Sequence, residues 1–245
     1  MPTTTREGRA LAYERAEGQG PGIVFLGGFM SDMGGTKAVH LDAWARARAR
    51  AFLRLDYSGH GASGGRFEEG TIGAWAADAL HVIEAATEGP QILVGSSMGG
   101  WIALLIARAR PDLVAGLVTV AAAPDFTEDS MWAGMNAGQR AALERDGIVH
   151  LPSDYGAPYP ITRALIEDGR RNLVLHSPLR LGVPVRMLQG TADADVSRET
   201  ALRLLDHVEA ADMRLTLVKG ADHRFSDPAC LALIEGAVAE VLALL

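Results

Sequence analysis

The stretch Gln91-Ile-Leu-Val-Gly-Ser-Ser-Met-Gly-Gly-Trp-Ile-Ala-Leu-Leu-Ile-Ala107 decides the fold. It opens on a short apolar run of strand length and closes on an apolar run of helical length. G-x-S-x-G, centred on Ser97, joins the two. A serine held in such a strand-to-helix turn stands clear of the sheet, where its hydroxyl can attack a substrate; this is the nucleophile elbow. The glycines have steric reasons, because side chains at 95 and 99 would meet the neighbouring strand and helix. In a chain with 28 glycines, roughly 0.13 such matches arise by chance, so context has to select among them. Gly61-Ala-Ser63-Gly-Gly65 also fits the pattern, but Arg66-Phe-Glu-Glu-Gly follows it and no apolar helix begins there. Ser96 fails because positions 94 and 98 are valine and methionine. The ordinary alternative for Ser97, a helix-capping serine, does not account for the glycine spacing.

Outward from this turn, strands and helices alternate. Strands are expected at Ile23 to Leu26, Ala51 to Leu55, Gln91 to Val94, Val114 to Val120, Val185 to Leu188 and Arg214 to Val218. Helices are expected at Lys37 to Arg50, Thr71 to Thr87, Met98 to Ala109, Ser197 to Val208 and Pro228 to Leu245, with Thr36 and Asp227 as N-caps. Parallel neighbours need crossover helices, so the prediction is an α/β fold with a mostly parallel central sheet and helices on both faces. Ala10 to Arg15 adds an antiparallel edge strand. The alternation breaks between Pro124 and Pro184, read as a lid inserted into one domain spanning residues 1–245.

A serine hydroxyl needs a base to take its proton and an acid to orient that base. In this chain order the acid follows a late strand and the histidine follows the last. Asp193 in Gln189-Gly-Thr-Ala-Asp-Ala-Asp195 and His223 in Gly220-Ala-Asp-His-Arg occupy those loops. Asp193 lies nearer the strand end than Asp195, and Asp222 is expected to cap locally. The Met98 amide at the helix start and the Phe29 amide in Gly27-Gly-Phe-Met-Ser31 are the expected oxyanion donors. From the insertion, Met131, Trp132, Met135, Tyr155 and Tyr159 are candidates to line an apolar acyl pocket. Arg163, Arg170, Arg171 and His176 are candidates to meet an acidic leaving group.

Composition narrows the rest. The 245 residues are 48% apolar and 22% charged, with 23 basic and 30 acidic side chains and a net charge of −7. A chain of this size buries roughly three quarters of its unfolded surface, enough for a core without staples, and disorder, collagen and coiled coil are excluded. The acidic balance, without a basic stripe, argues against nucleic acid as a partner. Lys37 and Lys219 are the only lysines, read as codon bias. The single Cys230 asks for no oxidising compartment, and no signal peptide or membrane span is read, so the expected location is the cytoplasm and the mature chain is expected to start here. Asp56-Tyr-Ser-Gly-His-Gly-Ala-Ser-Gly64 contains G-x-G-x-x-G, but no helix opens on its third glycine, so a tight turn is preferred to a dinucleotide loop. No H-E-x-x-H or paired-cysteine pattern calls for a metal, and no cofactor is expected.

Pro21-Gly-Ile-Val-Phe-Leu, Gly35-Thr-Lys-Ala, Leu55-Asp-Tyr-Ser-Gly, Phe67-Glu-Glu-Gly-Thr, Gly89-Pro-Gln-Ile-Leu-Val-Gly-Ser-Ser-Met-Gly-Gly-Trp, His176-Ser-Pro and Asp222-His-Arg resemble the α/β-hydrolase family. Within it they are similar to the mitochondrial palmitoyl-protein thioesterases, also described as acyl-glucuronide esterases. The resemblance runs over nearly the whole chain. It implies a triad of Ser97, Asp193 and His223 and a serine hydrolase of acyl esters or thioesters, acting on a small-molecule substrate or an acylated protein. Gly27-Gly28 stands where the wider family often carries His-Gly, with its backbone donors intact. The rival readings are a cofactor-free haloperoxidase or perhydrolase on the same triad, and a catalytically silent ligand-binding module.

Overall fold

The computed structural model describes residues 1–152, 156 and 158–245. The chain opens with β1 (Thr3–Arg6), β2 (Arg9–Ala16) and β3 (Gln19–Leu26), then α1 (Thr36–Arg46), β4 (Arg50–Leu55), α2 (Ile72–Ala86), β5 (Gln91–Ser96), α3 (Met98–Ala109) and β6 (Val114–Val120). After β6 come α4 (Ala137–Asp146), β7 (Ile148–Leu151), β8 (Tyr159–Thr162), α5 (Arg163–Arg171) and β9 (Leu179–Leu181). The chain closes with β10 (Val185–Gly190), α6 (Arg198–His207), β11 (Val208–Ala210), β12 (Met213–Val218) and α7 (Pro228–Leu242). The central sheet has eight strands in the order β1-β2-β4-β3-β5-β6-β10-β12. From β4 to β12 every pairing is parallel, and β2 joins β4 antiparallel.

Strand periodicity divides the core into two layers. Val24, Leu26, Leu93, Leu117 and Met187 face the layer shared with α2 and α3. Ile23, Phe25, Ile92, Val94, Val118 and Leu188 face the layer shared with α1 and α7. Trp75 and Trp101 are fully buried, and each indole N–H donates to a carbonyl, of Ser58 at 3.0 Å and of Asn172 at 3.1 Å. Buried indoles therefore leave no donor unpaired. Among the described residues no helix is long and apolar enough to cross a membrane.

Three expectations are corrected. The helix expected from Lys37 to Arg50 ends at Arg46, because Arg50 to Leu55 pair with β3 and Ala49 turns the chain at φ 51°. Thr36 is the first helical residue rather than the N-cap; Gly35 takes that place, with no side-chain cap bond. The piece read at Ala10 to Arg15 is β2, one strand in from the edge, because β1 pairs outside it. Asp227 does cap α7, accepting from the Ala229 and Cys230 amides at 2.9 and 3.0 Å. The stretch between Pro124 and Pro184 holds a π-helical turn at Thr127–Trp132, α4, the β7–β8 hairpin, α5 and β9.

Candidate active site

Ser97 sits between β5 and α3 at φ 54°, ψ −119°, a conformation L-residues avoid unless their surroundings enforce it. The enforcement is visible. The Ser97 amide donates to the Val120 carbonyl at 2.9 Å, and the Ser97 carbonyl accepts from Gly100 and Ala123. A Cβ on Gly95 would stand 2.3 Å from the Gly99 oxygen, and one on Gly99 would stand 2.1 Å from the Leu26 oxygen. Only glycine lets β3, β5 and the start of α3 close on one another here.

The loops after β10 and β12 bring the other two groups to the serine. Gly190 permits their contact, since a Cβ there would lie 2.2 Å from the Ala221 oxygen. His223 Nε2 is 3.2 Å from Ser97 Oγ, and His223 Nδ1 is 2.9 Å from Asp193 Oδ2. The Asp193 side chain is fully buried. Burial alone would raise its pKa. Hydrogen bonds from His223 and from the Val196 and Asp195 amides, with the imidazole charge, outweigh that and hold the pKa below the usual carboxylate value. An ionised carboxylate only accepts, so the imidazole carries its proton on Nδ1 and turns the Nε2 lone pair toward Ser97. Asp195 instead donates its amide to Asp193, and Asp222 accepts the Phe225 amide at 3.0 Å.

Gly28 lies against the serine, a Cβ there reaching 3.4 Å from Ser97 Cβ, and Phe29 follows. Among the described residues neither the Phe29 nor the Met98 amide donates to a partner. Ser97 and His223 open into a cavity of about 830 Å³. Its apolar lining includes Phe29, Phe126, Met131, Met135, Leu151 and Tyr159; its polar lining includes Ser31, Asp32, Thr36, Lys37 and Arg224.

Other predicted residues fall elsewhere. Trp132 is not in the cavity wall; its ring instead meets the Arg140 and Arg170 guanidinium groups, 5.0 and 4.7 Å from its centroid. Tyr155 lies outside the described residues. Arg163, Arg170, Arg171 and His176 do not line the cavity. They pair with Glu167, Glu128, Asp168 and Asp129 respectively. The cations in the wall are Lys37 and Arg224, which sequence reasoning passed over. Lys37 donates to the Arg224 carbonyl, and burial lowers its pKa to about 8, with the nearby Arg224 charge adding to the effect and Asp222 opposing it. One signal for it was available: a lone lysine just beyond the Gly27-Gly28 loop in an arginine-rich chain.

Among the described residues, two side-chain groups have ligand atoms close enough to share a cation: Asp125, Asp129 and His176, and Asp193, Asp195 and His223. In the first, both Asp125 oxygens accept amides at 2.8 Å and the Arg203 guanidinium sits on Asp129 at 2.6 Å. That positive charge already fills the role a cation would play. In the second, His223 and Asp193 are committed to each other and to Ser97.

A family model described as "Serine aminopeptidase, S33" (Hydrolase_4) matches residues 22–151. The bovine mitochondrial palmitoyl-protein thioesterase ABHD10 is 38% identical over 226 residues, which are 91% of this chain and 74% of that protein. A crystal structure of a protein from Agrobacterium vitis S4 superposes at TM-score 0.93 with 41% identity, covering 98% of this chain and 97% of the other. The mouse α/β hydrolase domain-containing protein 10 superposes at TM-score 0.91 with 35% identity, covering 99% and 98%. With the sheet order and the glycine-walled turn at Ser97, these matches establish that the chain belongs to the Hydrolase_4 family of α/β hydrolases.

Proposed function

We propose that the protein is a serine hydrolase of carboxylic acyl esters or thioesters that works through an acyl-Ser97 intermediate. The observation that carries this reading is the relay from Asp193 through His223 to Ser97 Oγ, with contacts of 2.9 and 3.2 Å, opening on a cavity. His223 Nε2 takes the hydroxyl proton as Oγ attacks the acyl carbon, then gives it to the leaving alcohol or thiol. The same nitrogen next activates water to release the acid. Ionised Asp193 steadies the imidazolium, and the Phe29 and Met98 amides receive the tetrahedral oxyanion.

The acyl chain lies against the apolar wall supplied by Met131, Met135 and Tyr159, where flexible thioether side chains adapt to different chain shapes. The segment between Pro124 and Pro184 is then a cap over one face of the site. The thioesterase name carried by the bovine relative supports including thioesters and acylated proteins among the substrates. The test is a rate panel over p-nitrophenyl esters of increasing chain length, acyl thioesters and acyl glucuronides, run beside Ser97→Ala. Turnover of at least one class that vanishes in Ser97→Ala is expected. Turnover that persists in the variant, or that needs added peroxide, overturns the proposal.

A further inference from the structure

The G-x-G-x-x-G loop that follows β4 packs against the Gly27–Met33 loop. Three of its side chains hold that loop. Tyr57 Oη donates to the Gly27 carbonyl at 3.1 Å, the Met30 amide donates to His60 Nε2 at 3.3 Å, and the Met33 amide donates to Asp56 Oδ1 at 2.7 Å. Arg54, at the end of β4, completes the clamp by donating to the Met33 carbonyl at 2.6 Å. The loop is shaped for this contact. Gly61 is at φ 47°, and a Cβ there would lie 2.1 Å from the Asp56 carboxylate.

His60 occupies the central position. Met30 is a non-glycine residue at φ 54°, a conformation that persists only where neighbours over-determine it. Its amide, one residue beyond the Phe29 amide, is pinned by the imidazole. His60 is 3% exposed, and its ring makes T-shaped contacts with Tyr57, Phe67 and Trp75 at 5.5, 5.1 and 5.1 Å between centroids. Phe67 and Trp75 in turn meet the Phe29 ring at 5.0 and 5.9 Å. His60 thus touches the backbone on one side of the Phe29 amide and, through two rings, the Phe29 side chain.

We infer that His60 is a positioning residue for the oxyanion hole, fixing the Phe29 amide by accepting the Met30 N–H and bracing the aromatic cage around Phe29. This rests on the ester-hydrolase reading above. The role requires a neutral ring with Nε2 as acceptor and Nδ1 as donor, and Nδ1 is 3.3 Å from the Ser58 carbonyl. A protonated ring would turn a second donor toward the Met30 amide. Burial lowers the His60 pKa, against the opposing effects of the Ser58 carbonyl and the Asp78 charge, which keeps the acceptor in place.

The test compares His60→Leu, which removes the acceptor, with His60→Gln, whose carboxamide oxygen can accept from Met30. Tyr57→Phe releases only the Gly27 tether. Each is measured for kcat and KM on a p-nitrophenyl ester and for inhibition by a trifluoromethyl ketone, whose Ser97 adduct carries the tetrahedral oxyanion. The expected result for His60→Leu is a kcat lower by about 10- to 100-fold, KM within about threefold, and ketone affinity lost in proportion to kcat. His60→Gln should recover most of the loss, and Tyr57→Phe should lower kcat by about threefold or more with the same signature. A merely structural histidine would lower the yield of folded protein without moving ketone affinity per active serine, counted by fluorophosphonate titration. If His60→Leu does not fold, His60→Phe, which keeps an aromatic ring in the cage but offers no acceptor, takes its place in the same readouts: wild-type kcat with ketone affinity untouched overturns the inference. Wild-type kcat in His60→Leu, or a glutamine variant no better than leucine, also overturns it. A wild-type protein that turns over neither esters nor thioesters overturns this inference and the proposed function together, so the two failures are told apart.

Discussion

Gly99→Ala is a one-methyl perturbation whose outcome follows from a single contact. The added Cβ would stand 2.1 Å from the Leu26 oxygen and 2.6 Å from the Gly27 oxygen, where ordinary contact begins at 3.4 Å. Both atoms are backbone, so no side chain can swing aside. The end of β3 and the start of α3 must separate by about 1.3 Å to bring the closer contact to ordinary distance. That displacement carries the Phe29 amide away from Ser97, and a misplacement of this size costs on the order of 10²-fold in rate. Overpacking costs about 1–3 kcal/mol of stability, which for a chain of this length lowers Tm by about 2–4 °C per kcal/mol. Gly236→Ala is the matched control: it lies within α7 with nothing within 4 Å of the added carbon. It should leave kcat unchanged and stabilise by about 0.5–1 kcal/mol through backbone entropy. The assay is kcat on a short p-nitrophenyl ester with a thermal melt of each variant. A Gly99→Ala enzyme with kcat within threefold of wild type and an unshifted Tm would refute the steric argument.

Ser97→Ala should lower kcat by at least ~10³, and His223→Ala comparably, because members of such a relay act as a unit; steady-state kinetics on the best ester of the panel checks this. Asp193→Asn keeps the shape but favours the wrong imidazole tautomer, so kcat should fall by about 10³- to 10⁴-fold with KM little changed. The same variant carries a pH signature. Asp193 has a lowered folded-state pKa, so its carboxylate stabilises the fold above its unfolded pKa, near 3.9, and that contribution is lost as pH falls through the folded value. The gap in unfolding free energy between wild type and Asp193→Asn should narrow below about pH 4; a gap unchanged down to pH 2 contradicts it. For Lys37 the sign is the same, in a window at higher pH. Its pKa is lowered from 10.5 to about 8, so between those values the unfolded chain holds a proton the folded one lacks, and stability rises with pH. Wild type should gain on Lys37→Met from pH 8 to 10.5, read from denaturant midpoints; parallel curves would place the Lys37 pKa at its ordinary value.

The sheet was legible because buried parallel strands read as short apolar runs and each crossover helix follows its own turn signal. Where the reading ran long, as from Lys37 to Arg50, the alternating alanines and arginines favour a helix locally, and pairing of Arg50 to Leu55 with β3 overrides that preference. The positions of Ser97, Asp193 and His223 followed from chain order, since each follows a strand whose end must reach one side of the sheet. Residues whose part depends on contact between loops were not legible. His60 belongs to a turn that looks self-contained in sequence, and its link to Met30 spans two loops joined only through folding. The arginines at 163, 170 and 171 illustrate the converse: charge says nothing of direction, and each finds a carboxylate at the surface.

The central claim is that Ser97 becomes covalently acylated during turnover. Acid quenching within milliseconds of mixing with a p-nitrophenyl ester, followed by peptide mass spectrometry, tests it directly. The account predicts an acyl mass increment on the peptide containing Ser97, appearing with the burst of nitrophenol and lost on longer incubation, and absent in His223→Ala. An increment on any other residue, or ester turnover with Ser97 never modified, would contradict it.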